Sequence, residues 1–508
     1  MNDKMNVLFI ITDQLRADHL ACYGNPDIKT PNIDALASDG IRFTNAYCTN
    51  PICMPNRATI FTGKYPNIHG VRCNGINLDI SIPTFTQTLR ECGYHTSSIG
   101  KIHLNCFTPL FDLKMESVEP MLGWTFQPKH KRPVIPKPYY GFDEVDLVIG
   151  HGDAVTGHYL DWLEERRPEL VESIKKRIHK LFQKSFYETQ FPEELYQTSY
   201  MTEKTISFLQ RVSEGYYEEK PFFLHCSFPD PHHPVCPPGK YKDMYNPEDL
   251  KLSPSFNDVL DDHTIIGEYL EKAYDNSAYI RSTCEEEIRN FLAYTYGTIS
   301  MIDFSIGQIL AALISFGLDK NTMVIFTSDH GEICGDHRII YKGMVHYRGI
   351  INVPLIWNVP NVTKSHLVTN SLASSIDIPS TILNLLEIDE KFHPPGMQGY
   401  DLTPILRDPN YKVRNHCIIE EDEDFKMKKG HYQPPLRIRS MLTEDYRITI
   451  YQGREDTGEL FDLKNDPHEC INLWHEKGSE ELKFKLLNKL LHEIINTQNR
   501  FPEPMAHG

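Results

Sequence analysis

Four side chains that could bind a metal ion lie directly after two apolar segments of the sequence. They are Asp13, Gln14, Asp329 and His330. Residues 5–12 and 322–327 form these apolar segments, a pattern typical of buried parallel strands. Open α/β sheets bind their ligands at the carboxyl ends of such strands. The sequence therefore predicts that metal-capable side chains, distant in the chain, lie at the ligand-binding edge of a sheet.

A second group of residues carries a modification signal. Residues 51–57 read Pro-Ile-Cys-Met-Pro-Asn-Arg, and Gly63 follows. The Cys-x-Pro-x-Arg core resembles the signature of the type I sulfatases of the alkaline phosphatase superfamily, in which the cysteine is oxidised after translation to formylglycine. The resemblance implies that Cys53 becomes a hydrated aldehyde, whose geminal hydroxyls attack a sulfate ester and then expel sulfate. Arg57 would neutralise and orient that diol.

Residues 93–103, which read Gly-Tyr-His-Thr-Ser-Ser-Ile-Gly-Lys-Ile-His, closely resemble the second signature of the same family. By that match Lys101 would bind both the diol and the sulfate. His103 would accept a proton from the hydroxyl that stays free in the covalent intermediate. Loss of that proton expels sulfate by C–O cleavage and regenerates the aldehyde, without attack of water on sulfur.

The resemblance extends to two further residues. The Pro-His-x-Pro turn at residues 231–234 would place His232 near the bridging oxygen of the substrate, as a general acid or a sulfate ligand, with His233 only a neighbour. Lys342 lies twelve residues after His330 and matches the lysine that binds sulfate and assists the leaving group. Lysines are usually solvated surface charges, and the motif context reverses that expectation for Lys342.

The resemblance also implies a metal site. Its ligands would be Asp13, Gln14, Cys53 in its modified form, Asp329 and His330. Calcium is the usual ion of the family, and oxygen donors with one imidazole suit a hard divalent cation. Gln14 departs from the second aspartate of many sulfatases and is similar to the related phosphonate monoester and phosphodiester hydrolases. One negative charge fewer leaves Mn²⁺ or Mg²⁺ as alternatives.

The modification needs a partner, a formylglycine-generating maturase. Met54 and Asn56 stand where the family commonly has small residues and a serine beside the modified cysteine. If Cys53 remained a thiol, activity would largely vanish. A noncatalytic relative that binds an anion through unmodified Cys53 is thus one alternative hypothesis, although such a protein has no need of a proton acceptor beside the nucleophile.

The first functional hypothesis is a sulfuric ester hydrolase that cleaves an organic sulfate monoester, either a small molecule or a saccharide. The alternative with the same fold is a phosphonate monoester or phosphodiester hydrolase, which Gln14 favours. The Gly-Lys-x-His arrangement of Lys101 and His103 favours sulfate, because the resemblance implies that the phosphonate enzymes differ there. Tyr139, Tyr140, His158 and Trp162 could stack on a sugar or aryl ring, or belong to the core.

Alternating strands and helices predict an α/β fold, with a large and mostly parallel sheet sandwiched by helices as in alkaline phosphatase-like proteins. The catalytic domain is predicted at 1–406, with irregular inserts at about 105–195 and 232–285. Residues 407–508 are predicted to form a small α+β subdomain, with an antiparallel sheet and a terminal helix at 479–496.

Composition limits the classes of binding partner and indicates the cellular compartment in which the protein is expected. The chain has 508 residues and a net charge of −17, which disfavours nucleic acid and anionic membranes. Twelve cysteines without regular spacing fit reduced thiols. The amino terminus lacks a secretory apolar region, and the longest apolar helical segment, 306–318, is too short to span a bilayer. A cytoplasmic protein is expected, and the family resemblance suggests a homo-oligomer.

Overall fold

The structure, a computed structural model, describes residues 4–107, 117–178, 184–258, 280–281, 284–343, 345–423 and 436–498. The strands of these residues are, in chain order, β1 Asn6–Asp13, β2 Ile41–Phe43, β3 Ala46–Tyr47, β4 His95–Gly100, β5 Glu144–Ile149, β6 Thr156–Gly157, β7 Phe222–Pro231, β8 Ile280–Arg281, β9 Thr322–Ser328, β10 Ile339–Ile340, β11 Leu355–Asn358, β12 Leu367–Thr369, β13 Ala373–Ser374, β14 Cys417–Glu423, β15 Leu436–Leu442, β16 Tyr446–Tyr451 and β17 Gly458–Asp462. The α-helices are Pro31–Ser38, Cys53–Thr62, Pro66–His69, Phe85–Glu91, Met121–Phe126, His158–Arg166, Pro168–Arg177, Gln197–Ser213, Glu285–Ser315, Arg348–Ile351, Asp377–Leu385, Thr403–Arg407 and Glu480–Asn496.

Nine strands of the described residues form the central sheet, in the spatial order β12-β2-β11-β9-β1-β7-β4-β5-β6. The run from β9 to β5 in that order is parallel throughout. Only β11 and β6 run opposite to the strands beside them within this sheet. The predicted α/β class with a large, mostly parallel sheet is confirmed.

Strand β1 illustrates why both faces of the sheet are covered. All eight of its residues are buried. Val7, Phe9 and Ile11 belong to the hydrophobic core on one face, and Leu8 and Ile10 belong to the core on the other. Alternate side chains of a strand point to opposite faces, so a continuous apolar run is stable only between two covering layers.

The longest helix among the described residues, Glu285–Ser315, has 31 residues and contains most of the helical pattern that the sequence shows at residues 291–317. By length and composition this helix alone, among the described residues, could cross a membrane, yet 61% of its most apolar window is buried inside the protein. It contacts the helix Gln197–Ser213 and strand β7. Asp303 on this helix accepts hydrogen bonds from the backbone N–H groups of Asn32 and Ile33. The buried apolar side chains of this helix pack in the core on one face of the sheet.

A second, antiparallel sheet is formed by β14, β15, β16 and β17 in that order. The terminal helix Glu480–Asn496 covers it, and Leu486 and Leu490 share a core with Met441 and Leu460. The small carboxyl-terminal α+β unit is therefore present as predicted. The division of the chain between residues 406 and 407 stays a prediction.

Parts of the predicted inserts have regular structure. Strands β5 and β6, which lie within 105–195, belong to the central sheet. The sequence does not reveal β5, because its first three residues are only half-buried and carry two acidic side chains. Residues 232–258 contain short 3₁₀ turns. Most of the rest of the second insert, 259–279 and 282–283, lies outside the described residues.

Candidate active site

The carboxyl ends of four adjacent strands bring the predicted site residues together. Strands β1 and β9 pair in register and end beside Asp13 and Asp329, while β7 and β4 lead to His232 and Lys101. Gly100 allows β4 to turn towards the site: its φ is +109°, and a Cβ atom there would lie 1.9 Å from the carbonyl oxygen of Ser227. The neighbouring strand thus fixes the position of Lys101, whose backbone N–H donates to that same carbonyl.

Cys53 is the first residue of the helix Cys53–Thr62, every residue of which is buried. Arg57 follows one turn later, so that both side chains lie on the same face of the helix. Hydrogen bonds of Asn56 hold this helix against the sheet: its amide oxygen accepts from Thr49 and from Ser375, and its amide nitrogen donates to the carbonyl of Asp329. Cys53 therefore faces the strand ends from a rigid support whose positive helix end favours an anion.

A group of metal-capable atoms surrounds Cys53. The candidate ligand atoms of Asp13, Cys53, Asp329 and His330 lie within 4.8 Å of one another, and all four residues are buried. The Cys53 Sγ is 3.2 Å from His330 Nε2 and 3.6 Å from Asp13 Oδ1. Two carboxylates, an imidazole and the nearby amide of Gln14 are donors that suit a hard divalent cation. The residues present therefore fit such an ion.

Arg57 binds the two carboxylates of this group. Its Nε donates to Asp329 Oδ2 at 2.7 Å, and its Nη2 lies 3.7 Å from Asp13 Oδ2. Its Nη1 donates to the Lys101 carbonyl at 2.8 Å and to Ser227 Oγ at 3.0 Å. Arg57 thus hydrogen-bonds to the carboxylate of Asp329 and forms an ion pair with that of Asp13, so that it orders the groups around Cys53.

Two lysines converge on Cys53 and Asp13. Lys101 Nζ forms a buried ion pair with Asp13, and Lys342 Nζ lies 2.8 Å from Cys53 Sγ and 3.0 Å from His330 Nε2. Burial lowers the pKa of Lys342, but Cys53 and the nearby carboxylates raise it above its ordinary value, so the amine is a cation. Burial would likewise raise the pKa of Asp13, but Lys101, Arg57 and Lys342 lower it well below its usual range.

His103 is held in a left-handed backbone conformation with φ +57°. Its backbone N–H donates to Glu119 Oε2 at 3.0 Å, and its ring stacks on Phe107 with 3.8 Å between centroids. Burial, together with Lys101 and Arg57, lowers the pKa of His103 well below its ordinary value. The imidazole is therefore neutral near pH 7 and has a free electron pair with which to accept a proton.

His232 lies between another imidazole and a lysine. Its ring stacks on His151 with 3.6 Å between centroids, and its Nε2 is 3.0 Å from Lys342 Nζ. Burial, then His151 and Lys342, lowers the pKa of His232 well below its ordinary value. Of the two roles predicted for His232, this environment favours a neutral hydrogen-bonding ligand over an acid that is already protonated in the free protein.

The structure adds residues that the sequence motifs do not indicate. His151 stacks on His232, Glu119 fixes the backbone of His103, and Glu332 contacts the side chain of Gln14. His151 and Glu119 lie in the stretch predicted as an irregular insert, where the sequence offers no motif. Glu332 follows His330 closely in the sequence, so its position near the strand end was the available signal.

Four aromatic residues that the sequence offers as possible substrate contacts have hydrogen-bond partners within the protein instead. They are Tyr139, Tyr140, His158 and Trp162. The hydroxyl of Tyr139 donates to Glu119, His158 Nδ1 accepts from the Leu147 N–H, and Trp162 Nε1 donates to Glu203. Their polar atoms are thus engaged inside the protein, and three of the rings are almost completely buried.

A parallel sheet whose carboxyl edge carries buried carboxylates, imidazoles and lysines around one nucleophilic side chain is an arrangement typical of hydrolases that act on anionic esters. The chain belongs to the sulfatase family, because the model of that family matches residues 5–388. A second model, N-sulphoglucosamine sulphohydrolase, C-terminal, matches residues 335–496. The protein is therefore a sulfatase.

Relatives match the chain over almost its whole length. An arylsulfatase of Clostridium perfringens is 29% identical, with 96% of this chain and 94% of that protein covered. An ulvan-active sulfatase of Formosa agariphila is 28% identical, with coverages of 97% and 82%. The crystal structure of a phosphonate monoester hydrolase of Agrobacterium radiobacter has a TM-score of 0.78 at 24% identity, covering 98% of this chain and 97% of that one. This last likeness establishes the fold.

Proposed function

We propose that this sulfatase cleaves an organic sulfate monoester with residue 53, matured to formylglycine, as the nucleophile. The observation that carries the proposal is the position of Cys53. It begins a buried helix, and its Sγ lies 2.8 Å from Lys342 Nζ and 3.2 Å from His330 Nε2. Cations around one atom at a helix amino terminus attract an anionic ester to that atom. The matured residue supplies a hydroxyl nucleophile that a thiol lacks.

The ligands of a divalent cation would be Asp13, Gln14, residue 53, Asp329 and His330. Calcium is our assignment, because most of these donors are oxygen atoms. The amide oxygen of Gln14 is buried and makes no hydrogen bond within the described residues, so it is available as a ligand. When bound, the ion would polarise the sulfate oxygens.

The remaining residues of the site stabilise charge, accept a proton or orient other groups. Lys101 and Lys342 stabilise the charge on the sulfate oxygens, and the neutral His103 accepts the proton of the residue-53 hydroxyl that stays free in the covalent intermediate. His232 contacts Lys342 at 3.0 Å and would orient the lysine ammonium towards the leaving-group oxygen. Arg57 keeps both carboxylates in place, since it donates to Asp329 and lies beside Asp13.

A sulfated saccharide is the substrate class that the relatives favour. The ulvan-active sulfatase carries a polysaccharide in its name. A phosphonate monoester or phosphodiester is the second candidate, and Gln14 is the specific residue that favours it. A sulfate monoester, a phosphonate monoester and a phosphodiester each carry one negative charge near pH 7, so the charge of the substrate does not separate the two candidates and rates on each ester must decide.

The test is steady-state hydrolysis by protein coexpressed with a formylglycine-generating maturase. The substrates are 4-nitrophenyl sulfate, glucosamine 6-sulfate, bis-4-nitrophenyl phosphate and a phenylphosphonate monoester, and Cys53→Ala is the control. We expect kcat/KM to be highest for a sulfate and lost in the control. Higher kcat/KM for the phosphorus esters would instead support the second candidate.

Mass spectrometry of the peptide that contains residue 53 supplies the complementary measurement. We expect an aldehyde or its hydrate after coexpression with the maturase. A quantitative free thiol in protein from the native host, together with retained anion binding, would contradict the proposal and would support a noncatalytic anion-binding protein.

A further inference from the structure

The side-chain amide of Gln14 lies between two acceptors. Its Nε2 donates to Glu332 Oε2 and is 2.8 Å from His233 Nδ1. The second oxygen of Glu332 accepts from the backbone N–H of Ile333 at 2.8 Å. Gln14 and Glu332 are only 2% and 3% exposed. Gln14 is also connected to another proposed metal ligand, because its backbone N–H donates to Asp329 Oδ1 at 3.1 Å.

The chemistry of these partners fixes the direction of the amide. A carboxylate only accepts hydrogen bonds, so the atom of Gln14 that faces Glu332 must be the NH₂ group. The two hydrogens of that group then point towards Glu332 and His233. The other end of the amide, Oε1, is left without a hydrogen bond within the described residues. A buried carbonyl oxygen in that state is suited to a cation.

We infer that Glu332 is a positioning residue for the metal site. It holds the Gln14 amide so that Oε1 faces the ion, and its negative charge at the NH₂ end increases the electron density on Oε1. The carboxylate of Glu332 thereby polarises the neutral amide of Gln14. This polarisation compensates in part for the negative charge that a carboxylate ligand would have at the same position. The inference rests on the ligand set of the proposed function, although not on the identity of the ester.

The test measures the Kd for Ca²⁺ by isothermal titration calorimetry, using the full-length protein stripped of metal with a chelator. Glu332→Gln keeps an acceptor for the amide but removes the charge, and Glu332→Leu removes both. We expect Kd to rise about tenfold in Glu332→Gln and about a hundredfold in Glu332→Leu. A Kd unchanged in both variants would overturn the inference.

A matched control separates positioning from general stability. Glu459 is a glutamate of similar burial, 2% exposed, paired with Arg447 in the carboxyl-terminal sheet. Glu459→Gln should lower the Tm and leave the Kd for Ca²⁺ unchanged. If Glu459→Gln raised the Kd as much as Glu332→Gln does, the effect of Glu332 would be structural and the inference would fail.

A double-mutant cycle tests whether Glu332 acts through Gln14. In a Gln14→Ala background, Glu332→Gln should change the Kd less than twofold, because the amide that it orients is gone. A full tenfold effect in that background would overturn the inference. Failure of the sulfate assay alone would reject the proposed ester while leaving this metal result intact, so the two failures are distinguishable.

Discussion

Two arginines among the described residues are completely buried, each beside two carboxylates, yet their surroundings differ. Arg57 in the active site contacts Asp13 and Asp329. Arg447 in the carboxyl-terminal sheet contacts Glu459 at 2.7 Å and also Glu469. Both positions remove a guanidinium from water, which is costly unless the charge is compensated. The comparison shows what distinguishes a structural network from a site that binds a ligand.

Around Arg447 two carboxylates face a single cation, so negative charge is in excess there. The guanidinium also donates to Thr449 Oγ1, and the ring of Phe461 lies 4.7 Å away. Around Arg57, in contrast, two further cations enter the same buried space. Arg57 and Lys101 contact the carboxylates of Asp13 and Asp329, and Lys342 adds a third cation 2.8 Å from Cys53 Sγ. Positive charge in excess of its partners favours an anionic ligand, and the strongly shifted pKa values at this end of the sheet are typical of functional sites.

The substitution with the largest expected effect inactivates the active site and leaves the fold unchanged. Cys53→Ala removes the nucleophile from a helix that Asn56 holds in place independently. We expect kcat/KM for 4-nitrophenyl sulfate to fall by about 10⁴-fold or more, with the Tm within a few degrees of the parent. A variant that retained more than about a tenth of the activity would show that another group is the nucleophile.

The corresponding change in the structural network should act on stability alone. Arg447→Met leaves Glu459 and Glu469 buried without their cation, and this should lower the free energy of unfolding by roughly 3–5 kcal/mol. Urea denaturation measures that loss. At low urea, kcat per folded molecule should equal the parent value. A drop in kcat beyond the loss of folded protein would show that the two regions are coupled.

A third change removes one of the excess cations. Lys342→Ala deletes the ammonium that lies 2.8 Å from Cys53 Sγ, and kcat should fall by about 10² to 10³-fold. Lys320 is the matched control, because its side chain is 91% exposed and pairs only with its neighbour Asp319 in the described residues. Lys320→Ala should leave kcat unchanged. Equal effects of the two substitutions would indicate a general electrostatic contribution and would contradict a specific role for Lys342.

The sequence predicts much of the fold because the central strands carry a simple pattern. Strands β1, β7 and β9 are buried on both faces and therefore appear as largely apolar runs without alternation. Strand β5 begins with half-buried residues and carries acidic side chains, so its place in the sheet depends on tertiary contacts that no local pattern encodes.

The residues of the candidate site also fall into two groups, those that sequence motifs predict and those that only the structure reveals. Residues inside contiguous motifs, such as Cys53 and Lys101, could be predicted, since each motif surrounds one strand end or one helix start. His151 could not, because its importance follows from stacking on His232, a partner brought close by the fold. The bonding of Arg57 to carboxylates was also beyond the sequence. Motif resemblance indicates which residues gather at a site, while their pairing depends on the geometry of several elements.

The smallest expected effect comes from a substitution of His69. It tests whether a buried group near the site contributes only to stability when all its polar atoms have hydrogen-bond partners. His69 lies just beyond the catalytic helix and is 3% exposed. Its Nδ1 accepts from the Val71 N–H at 3.2 Å, and its Nε2 lies 3.1 Å from Thr59 Oγ1, so the neutral ring is fully paired. Burial, aided by Lys64, lowers the pKa of His69 to about 3.

His69 should therefore affect stability and leave catalysis unchanged. In the unfolded chain a histidine takes up a proton near pH 6.5, whereas the folded protein keeps His69 neutral until about pH 3. Its contribution is present above pH 6.5 and is lost as the pH falls. Between pH 6.5 and 5, His69→Gln should reduce the acid-induced loss of unfolding free energy by roughly 1–2 kcal/mol, with kcat at pH 7.5 equal to the parent value. If kcat fell while the pH dependence of stability stayed the same, a fully paired group beside the site would be acting in catalysis, and the distinction drawn between Arg57 and Arg447 would fail.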